Sequence, residues 1–216
     1  QDYMDLIERQ ECCLCSGLAY RKRRNVLENA QRMNAMIFDL DGVGYREIRN
    51  LLYRFTLLPG QLRSLPTPTF LVASGTGVHL YYVFDEPIDL YPNIKLQLKQ
   101  LKHDLTFKIW EYKATSRVKS IQYQSINQGF RMVGSTNEKH GVELRAFRTG
   151  EKVSLAYMNS YAIKAANRVD VQQRFRPSKM TREEAKIAYP EWYQKVVVQG
   201  NKTKKKWIVP LLFVAH

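Results

Sequence analysis

Met36-Ile37-Phe38-Asp39-Leu40-Asp41-Gly42-Val43 is the stretch on which the reading of this chain turns. Three apolar residues run without a break into two carboxylates and a glycine, the pattern of a strand buried on both faces. Alternate side chains of a strand share a face, so Asp39 and Asp41 project together from its end and Leu40 points the other way. Adjacent carboxylates repel, and burying them unpaired is costly. A divalent cation relieves both problems, because Mg²⁺ and Mn²⁺ take hard carboxylate oxygens. The stretch therefore reads as a metal site at a strand terminus, against the plainer alternative of an exposed strand end entering a turn.

With 216 residues, 44% of them hydrophobic, the chain can bury one core, or one core with an appendage. No apolar run reaches bilayer length and no secretory leader opens the sequence, so a cytoplasmic location and no membrane partner are expected. The start at Gln1 and the apolar end after Trp207 suggest a piece of something longer. Cys12, Cys13 and Cys15 are too few and too clustered for a disulfide framework or a zinc site, and read as buried thiols in a strand over residues 11–18. Net charge +14 and pI ≈ 9.7 call for a polyanionic partner, nucleic acid first.

Arg21, Lys22, Arg23 and Arg24 follow the cysteines, either as a solvated loop or as a grip on phosphates. Beyond the carboxylates, residues 46–57 read as a helix with Ile48, Leu51, Leu52 and Phe55 on one face. Residues 69–73 and 78–84 read as a hairpin, joined by Ser74-Gly75-Thr76-Gly77 and followed at once by His79. Two glycines let backbone N–H groups approach an anion closely, and Ser74 and His79 add side-chain donors; a structural turn and a core histidine are the bland alternatives. Residues 93–112 form an amphipathic helix on Ile94, Leu98, Leu101, Leu105 and Ile109, with Lys95, Lys99, Lys102 and Lys108 expected on a solvated face. Residues 143–148 read as a strand with Arg145 and Arg148 outward, after a turn holding Lys139 and His140; residues 154–161 make a short helix. A boundary near Asp170 separates a domain over 1–170 from a basic helical tail over 171–216. There Thr181-Arg182-Glu183-Glu184 has capping-box form and Pro190 opens a second helix.

The order of these pieces resembles the archaeo-eukaryotic primase superfamily, in particular the primase-polymerases of plasmids, phages and mobile elements. Asp39 and Asp41 match its first motif, Ser74 and His79 its second, and Arg131-Met132-Val133-Gly134-Ser135-Thr136-Asn137 its Arg-x-x-Gly-Ser/Thr-x-Asn block. The resemblance covers about residues 35–148. It implies an α/β (α+β) fold with an RNA-recognition-motif-like sheet and a smaller amino-terminal αβ part. It also implies template-dependent nucleotidyl transfer with Mg²⁺ or Mn²⁺ on Asp39 and Asp41, the two residues expected, with His79, to be catalytic. Ser74, Gly75, His79, Arg131, Ser135 and Lys139 become candidates for nucleotide contact. Arg21, Lys22, Arg23, Arg24, Arg145 and Arg148 become candidates for nucleic-acid contact. The implied partners are nucleoside triphosphates, a single-stranded DNA template or primer-template, and a helicase region or subunit.

One departure stands out. The family's third motif carries a further metal carboxylate shortly before the Arg-x-x-Gly block, yet residues 120–128 contain no acid. Gln122 or Gln124 occupies the expected place, and Glu111 is the nearest acid upstream. A primase-like binding module with weak or no catalysis is therefore an alternative. Phe38-Asp39-Leu40-Asp41-Gly42-Val43 also resembles the first motif of haloacid-dehalogenase-type phosphatases. That family needs a downstream lysine and a late acidic pair as well, and only the lysine is easily found.

The charge has a direct consequence. Binding of single-stranded DNA should weaken steeply with salt, the logarithm of affinity falling by about 0.7 per phosphate contacted for each tenfold rise in salt. Fluorescence anisotropy across a salt series reads that slope, and a flat response would remove the polyanion from the account.

Overall fold

The carboxylate stretch ends a long, largely buried strand of a computed structural model that describes residues 13–111, 114, 120–172, 181–188 and 190. In chain order the elements are β1 (Leu14–Cys15), β2 (Leu18–Tyr20), β3 (Ala30–Asp41), α1 (Tyr45–Phe55), β4 (Phe70–Ala73), β5 (Gly77–Asp89), α2 (Pro92–Glu111), β6 (Phe130–Arg131), β7 (Thr136–Asn137), β8 (Val142–Glu143), β9 (Arg145–Arg148), α3 (Leu155–Ser160) and α4 (Arg182–Ala188). The chain divides into two compact units, residues 1–172 and 173–216. Within the first, five strands form one antiparallel sheet in the order β2-β3-β5-β4-β9, while β1 pairs with β6 and β7 with β8. This is a mixed α+β fold, as the sequence leads one to expect.

Register gives the sheet two different faces. Met36, Phe38 and Leu40 of β3 share one face with Leu80 and Tyr82 of β5. They form a single core with Leu51 and Phe55 of α1 and with Leu98, Leu101 and Leu105 of α2. Ala35 and Ile37 face the other way and meet Phe130, Tyr81 and Val83 in a smaller cluster. Met36, Ile37 and Phe38 are thus buried in succession because both faces are covered.

Helix α2 departs from the expected two-sided helix. Its apolar stripe is buried as read, but from Leu101 onward Lys102, Asp104, Thr106 and Lys108 are buried too. The solvated cationic face expected for Lys102 and Lys108 is therefore corrected. Two sets of neighbours cover them: Phe38, Phe130 and Ser125 enclose Lys102, and the chain after α3 closes over Asp104 and Lys108. Asp104 Oδ2 accepts the backbone N–H groups of Ile163 and Lys164 at 3.0 and 3.1 Å, and Oδ1 accepts from Asn167 Nδ2 at 2.8 Å.

Helix α1 buries Leu51 and Phe55, but its third buried side chain is Arg54, while Leu52 is exposed. Arg54 donates to the carbonyls of Arg63 (2.8 Å), Ile109 (3.0 Å) and Lys108 (2.6 Å). Two of these are orphan carbonyls of the last turn of α2, so one guanidinium fastens both helices together.

Smaller corrections follow from the same geometry. The strand expected over 11–18 breaks at Ser16 and Gly17 into β1 and β2. Cys13 and Cys15 are only half-buried, whereas Cys12 lies outside the described residues. The strand expected over 143–148 is divided at Leu144, which turns inward and is fully buried. In the second unit the capping box of α4 is present, with Thr181 N–H donating to Glu184 and Glu184 N–H to Thr181 Oγ1. The helix expected through Trp192 and Val196 falls outside the described residues.

Arg54→Leu keeps apolar volume but leaves three carbonyls without their donor. Urea denaturation should show a loss of about 2–4 kcal/mol. A loss under about 0.5 kcal/mol would mean that Arg54 is not the tie between the helices.

Candidate active site on the open end of the sheet

Pairing between β3 and β5 places Asp39 directly opposite His79, and Asp41 opposite Gly77. His79 in turn lies opposite Val72 of β4, which lies opposite Ala146 of β9. Asp39, His79, Val72 and Ala146 therefore form one row across the sheet, on the face away from the helices. The neighbouring row on that face is Ile37, Tyr81, Phe70 and Arg148. Arg145 stands three residues from Arg148 and belongs to the opposite face, opposite Ala73.

The charges in this row are strongly perturbed. Burial, reinforced by the negative charge of Asp41, raises Asp39 from 3.8 to about 6, against the pull of Arg131 and Lys102. Burial lowers His79 from 6.5 to about 4, with Asp41 opposing and Arg131 assisting. His79 is consequently neutral near pH 7, and its contact with Asp39 is not an ion pair. Nε2 lies 3.4 Å from Asp39 Oδ1. The other nitrogen, Nδ1, is enclosed without a hydrogen-bond partner. The ring lies edge-on to Phe130, with centroids 5.6 Å apart. Asp41 is exposed at the rim.

The turn after β4 is held by the Arg-x-x-Gly block. Gly75 takes φ +113, and a Cβ there would lie 3.2–3.3 Å from Val142, Asn137 and His140 of the β7–β8 hairpin. A Cβ on Gly77 would stand 2.3 Å from the Leu40 carbonyl, so only glycine lets this turn close against the end of β3. Asn137 Nδ2 donates to the Ser74 carbonyl at 2.7 Å, while its Oδ1 is buried without a partner. The Ser74 hydroxyl makes no hydrogen bond to any described residue. Ser135 is already committed, its hydroxyl donating to the Met132 carbonyl at 2.6 Å. Lys139 and His140 are exposed in the hairpin turn beside Gly75.

Three contributors were not legible as such in the sequence. Gln124 clamps the free edge of β3: its Oε1 accepts from the Asp39 N–H at 3.0 Å and its Nε2 donates to the Asp39 carbonyl at 2.9 Å. Its amide oxygen is thus spent on backbone, which corrects its place as a metal-coordinating substitute for the missing carboxylate. Gln122 is exposed. Lys102, expected in solvent, is buried against Phe38 and Phe130 and donates to the Ser125 carbonyl at 3.0 Å. A signal for it existed, since it stands four residues after Leu98 and three before Leu105, within the apolar stripe. Asn137 carried no signal beyond its place in the block.

The remaining candidates lie apart. Arg21 N–H donates to the Asn29 carbonyl at the start of β3, so Arg21, Lys22, Arg23 and Arg24 sit at the end of the sheet remote from Asp39. The intervening strand spans about 30 Å at ~3.3 Å per residue. All four are exposed. Arg148 pairs with Glu151, and Arg145 Nη2 lies 3.6 Å from Glu143.

Asp39 and Asp41 suit one Mg²⁺ or Mn²⁺, which is commonly held by one or two carboxylates together with phosphate oxygens and water. Burial and the neighbouring Asp41 are what raise the proton affinity of Asp39. Among the described residues, no group of three or more His, Cys, Asp or Glu side chains comes together. A second cation therefore finds no further carboxylate here, and the acidic pair required by a phosphatase of haloacid-dehalogenase type is missing among these residues.

No family model matches the chain, and no curated protein matches it. Among solved structures it is similar to the AEP domain of the cyanophage S-2L primase-polymerase (PrimPol), with a TM-score of 0.47 and 17% identity, covering 72% of each chain.

The Asp39 shift makes a stability prediction. Folded Asp39 holds its proton more tightly than the unfolded chain does between 3.8 and about 6, so its contribution to stability falls as pH rises through that window. In chelator, Asp39→Asn should be more stable than the native chain by about 1–3 kcal/mol near pH 8, the gain vanishing below about pH 4. Added Mg²⁺ should narrow the gap. Thermal melts at the two pH values decide, and a gain independent of pH would contradict the assignment.

Proposed function

We propose that this chain is a metal-dependent nucleotidyltransferase domain of primase-polymerase type, acting on a nucleic-acid strand with nucleoside triphosphates. The observation that carries it is the meeting of three sequence-distant segments. The paired carboxylates of β3, the Ser-Gly-x-Gly turn with His79, and the Arg131–Asn137 block close on one corner of one sheet face. Asp39 touches His79, Asn137 holds Ser74, and Arg131 acts on both Asp39 and His79.

In this reading Asp39 and Asp41 hold Mg²⁺ or Mn²⁺. Such a cation, when bound, supplies Lewis-acid stabilisation of the charge on the transferring phosphoryl group. The reaction joins a primer 3′-oxygen to the α-phosphorus of the triphosphate, with pyrophosphate leaving. The free hydroxyl of Ser74 and the glycine turn receive the triphosphate, with Arg131 supplying fixed positive charge and Lys139 lying at the rim. His79 enters chiefly as the residue that flanks Asp39, because its Nε2 faces that carboxylate at 3.4 Å and its other nitrogen is enclosed. Arg148 shares the site face and suits the strand. Arg21, Lys22, Arg23 and Arg24 lie too far away for the reacting phosphates and suit the template. Arg145 faces away and drops out of this grouping.

A second reading is favoured by one observation: Gln124 is locked to the backbone of Asp39 where a third acid is wanted. The domain would then bind template and nucleotide with little transfer.

Primer extension with Mg²⁺ and with Mn²⁺ separates the two. The native chain should incorporate nucleotide, and Asp41→Asn, which removes an exposed carboxylate and leaves the core untouched, should reduce incorporation about 100-fold or more. Native-level extension by folded Asp41→Asn overturns the site. Template binding without any incorporation by the native chain selects the second reading.

A further inference from the structure

Every residue of α2 from Leu101 to Trp110 is buried except His103 and Phe107. Both are aromatic, and at a spacing of four they share one stripe of the helix. A third ring joins them from the segment beyond the helix. Tyr123 lies flat on His103, with ring centroids 3.9 Å apart and planes 1° from parallel. The histidine takes one face of the tyrosine ring, yet Tyr123 remains 47% exposed and Phe107 39%. Apolar residues scattered singly over a surface need no explanation, whereas rings grouped in one place mark an interaction surface.

These rings are fixed beside the carboxylate strand. Gln124, next to Tyr123, bonds the Asp39 backbone at 3.0 and 2.9 Å. Lys102, next to His103, donates to the Ser125 carbonyl at 3.0 Å. Residues 123–125 are thus tied both to the edge of β3 at Asp39 and to α2. The glycine turn at 74–77 lies on the β5 side of β3, so the rings and the turn flank Asp39 from opposite sides. Charge favours one kind of partner. Asp104 is the only acid between Pro92 and Trp110 and it is buried, residues 120–128 contain no acid, and Lys99 is exposed one turn before His103. A polyanion meets no repulsion from these segments, and a net charge of +14 disfavours a second copy of the chain.

We propose that Tyr123, stacked on His103, is a platform for a nucleobase of single-stranded DNA, with Phe107 extending it along α2 and Lys99 meeting an adjoining phosphate. This rests on the reading of the chain as a domain that acts on a nucleic-acid strand. Every base has a π-face, so such a platform holds a strand without reading its sequence. It fixes the strand on one side of Asp39, and leaves the glycine turn on the other side to the triphosphate.

The test uses the whole chain and a labelled oligothymidylate, with affinity read by fluorescence anisotropy across a salt series. Tyr123→Ala should weaken binding about tenfold at every salt concentration and leave the salt slope unchanged, because stacking neutralises no phosphate. Tyr123→Phe keeps the ring and should bind within about twofold of the native chain. Lys99→Gln, by contrast, should make the slope shallower by about 0.7. An oligomer of abasic sugars should bind the native chain more weakly than the intact one and should not distinguish it from Tyr123→Ala. Folded Tyr123→Ala that binds as tightly as the native chain overturns the platform and leaves the nucleic-acid reading intact. Equal affinity of the native chain for the abasic and intact oligomers overturns it without any variant. Dimers of the native chain in sedimentation that Tyr123→Ala abolishes assign the rings to a second copy, and overturn it too. No DNA binding by the native chain overturns the nucleic-acid reading and the platform together.

Discussion

The β3–β5 register is the constraint on which the rest depends. Asp39 meets His79 and Asp41 meets Gly77 because the two strands pair antiparallel without a slip over residues 35–41. A shift by one residue would turn Asp39 into the helix-side core and bring Phe38 out, exchanging a carboxylate for a ring among Leu51, Leu80 and Leu98. Burial on both faces thus fixes the position of the carboxylates more firmly than any contact they make themselves. Once that register is set, the turn at 74–77 closes over the end of β3, where Gly77 alone tolerates the approach of the Leu40 carbonyl.

Around this register the fold places charge where apolar packing would be cheaper. Asp39 is held mostly out of water beside Asp41; His79 is kept neutral; Lys102 is enclosed between two rings. Titratable groups displaced in opposite directions within one small volume are a mark of functional sites. Arg54 shows what a structural buried charge looks like in the same molecule. Its donors meet three carbonyls at 2.6–3.0 Å. His79 Nδ1 and Asn137 Oδ1, by contrast, are buried without partners on either side of the glycine turn.

The sequence made the strand of Asp39 and Asp41, the hairpin around Ser74 and the apolar stripe of α2 legible, because each is written in local periodicity. What it hid depends on long-range closure. Lys102 looked solvated because a lysine at the margin of a stripe normally snorkels to water. Here Phe38, Phe130 and Ser125 close over it from segments far apart in the chain. Gln124 looked like a stand-in ligand because its role as a one-residue substitute for a missing strand neighbour can be seen only once β3 has a free edge. The separation of Arg145 from Arg148 was in principle readable from strand alternation. The remoteness of Arg21 to Arg24 was not, since nearness in sequence to β3 says nothing about which end of that strand the run meets.

The account stands on the carboxylate pair, the glycine turn and the Arg131–Asn137 block being one site. Crystals of the chain soaked with Mn²⁺ and a non-hydrolysable nucleoside triphosphate put this most directly, because the anomalous signal locates the metal without reference to activity. The account requires one Mn²⁺ peak between Asp39 and Asp41, with the triphosphate lying against residues 74–77 on the Arg131 side. Metal bound elsewhere, or a triphosphate seated away from that turn while Asp39 and Asp41 stay bare, would contradict it.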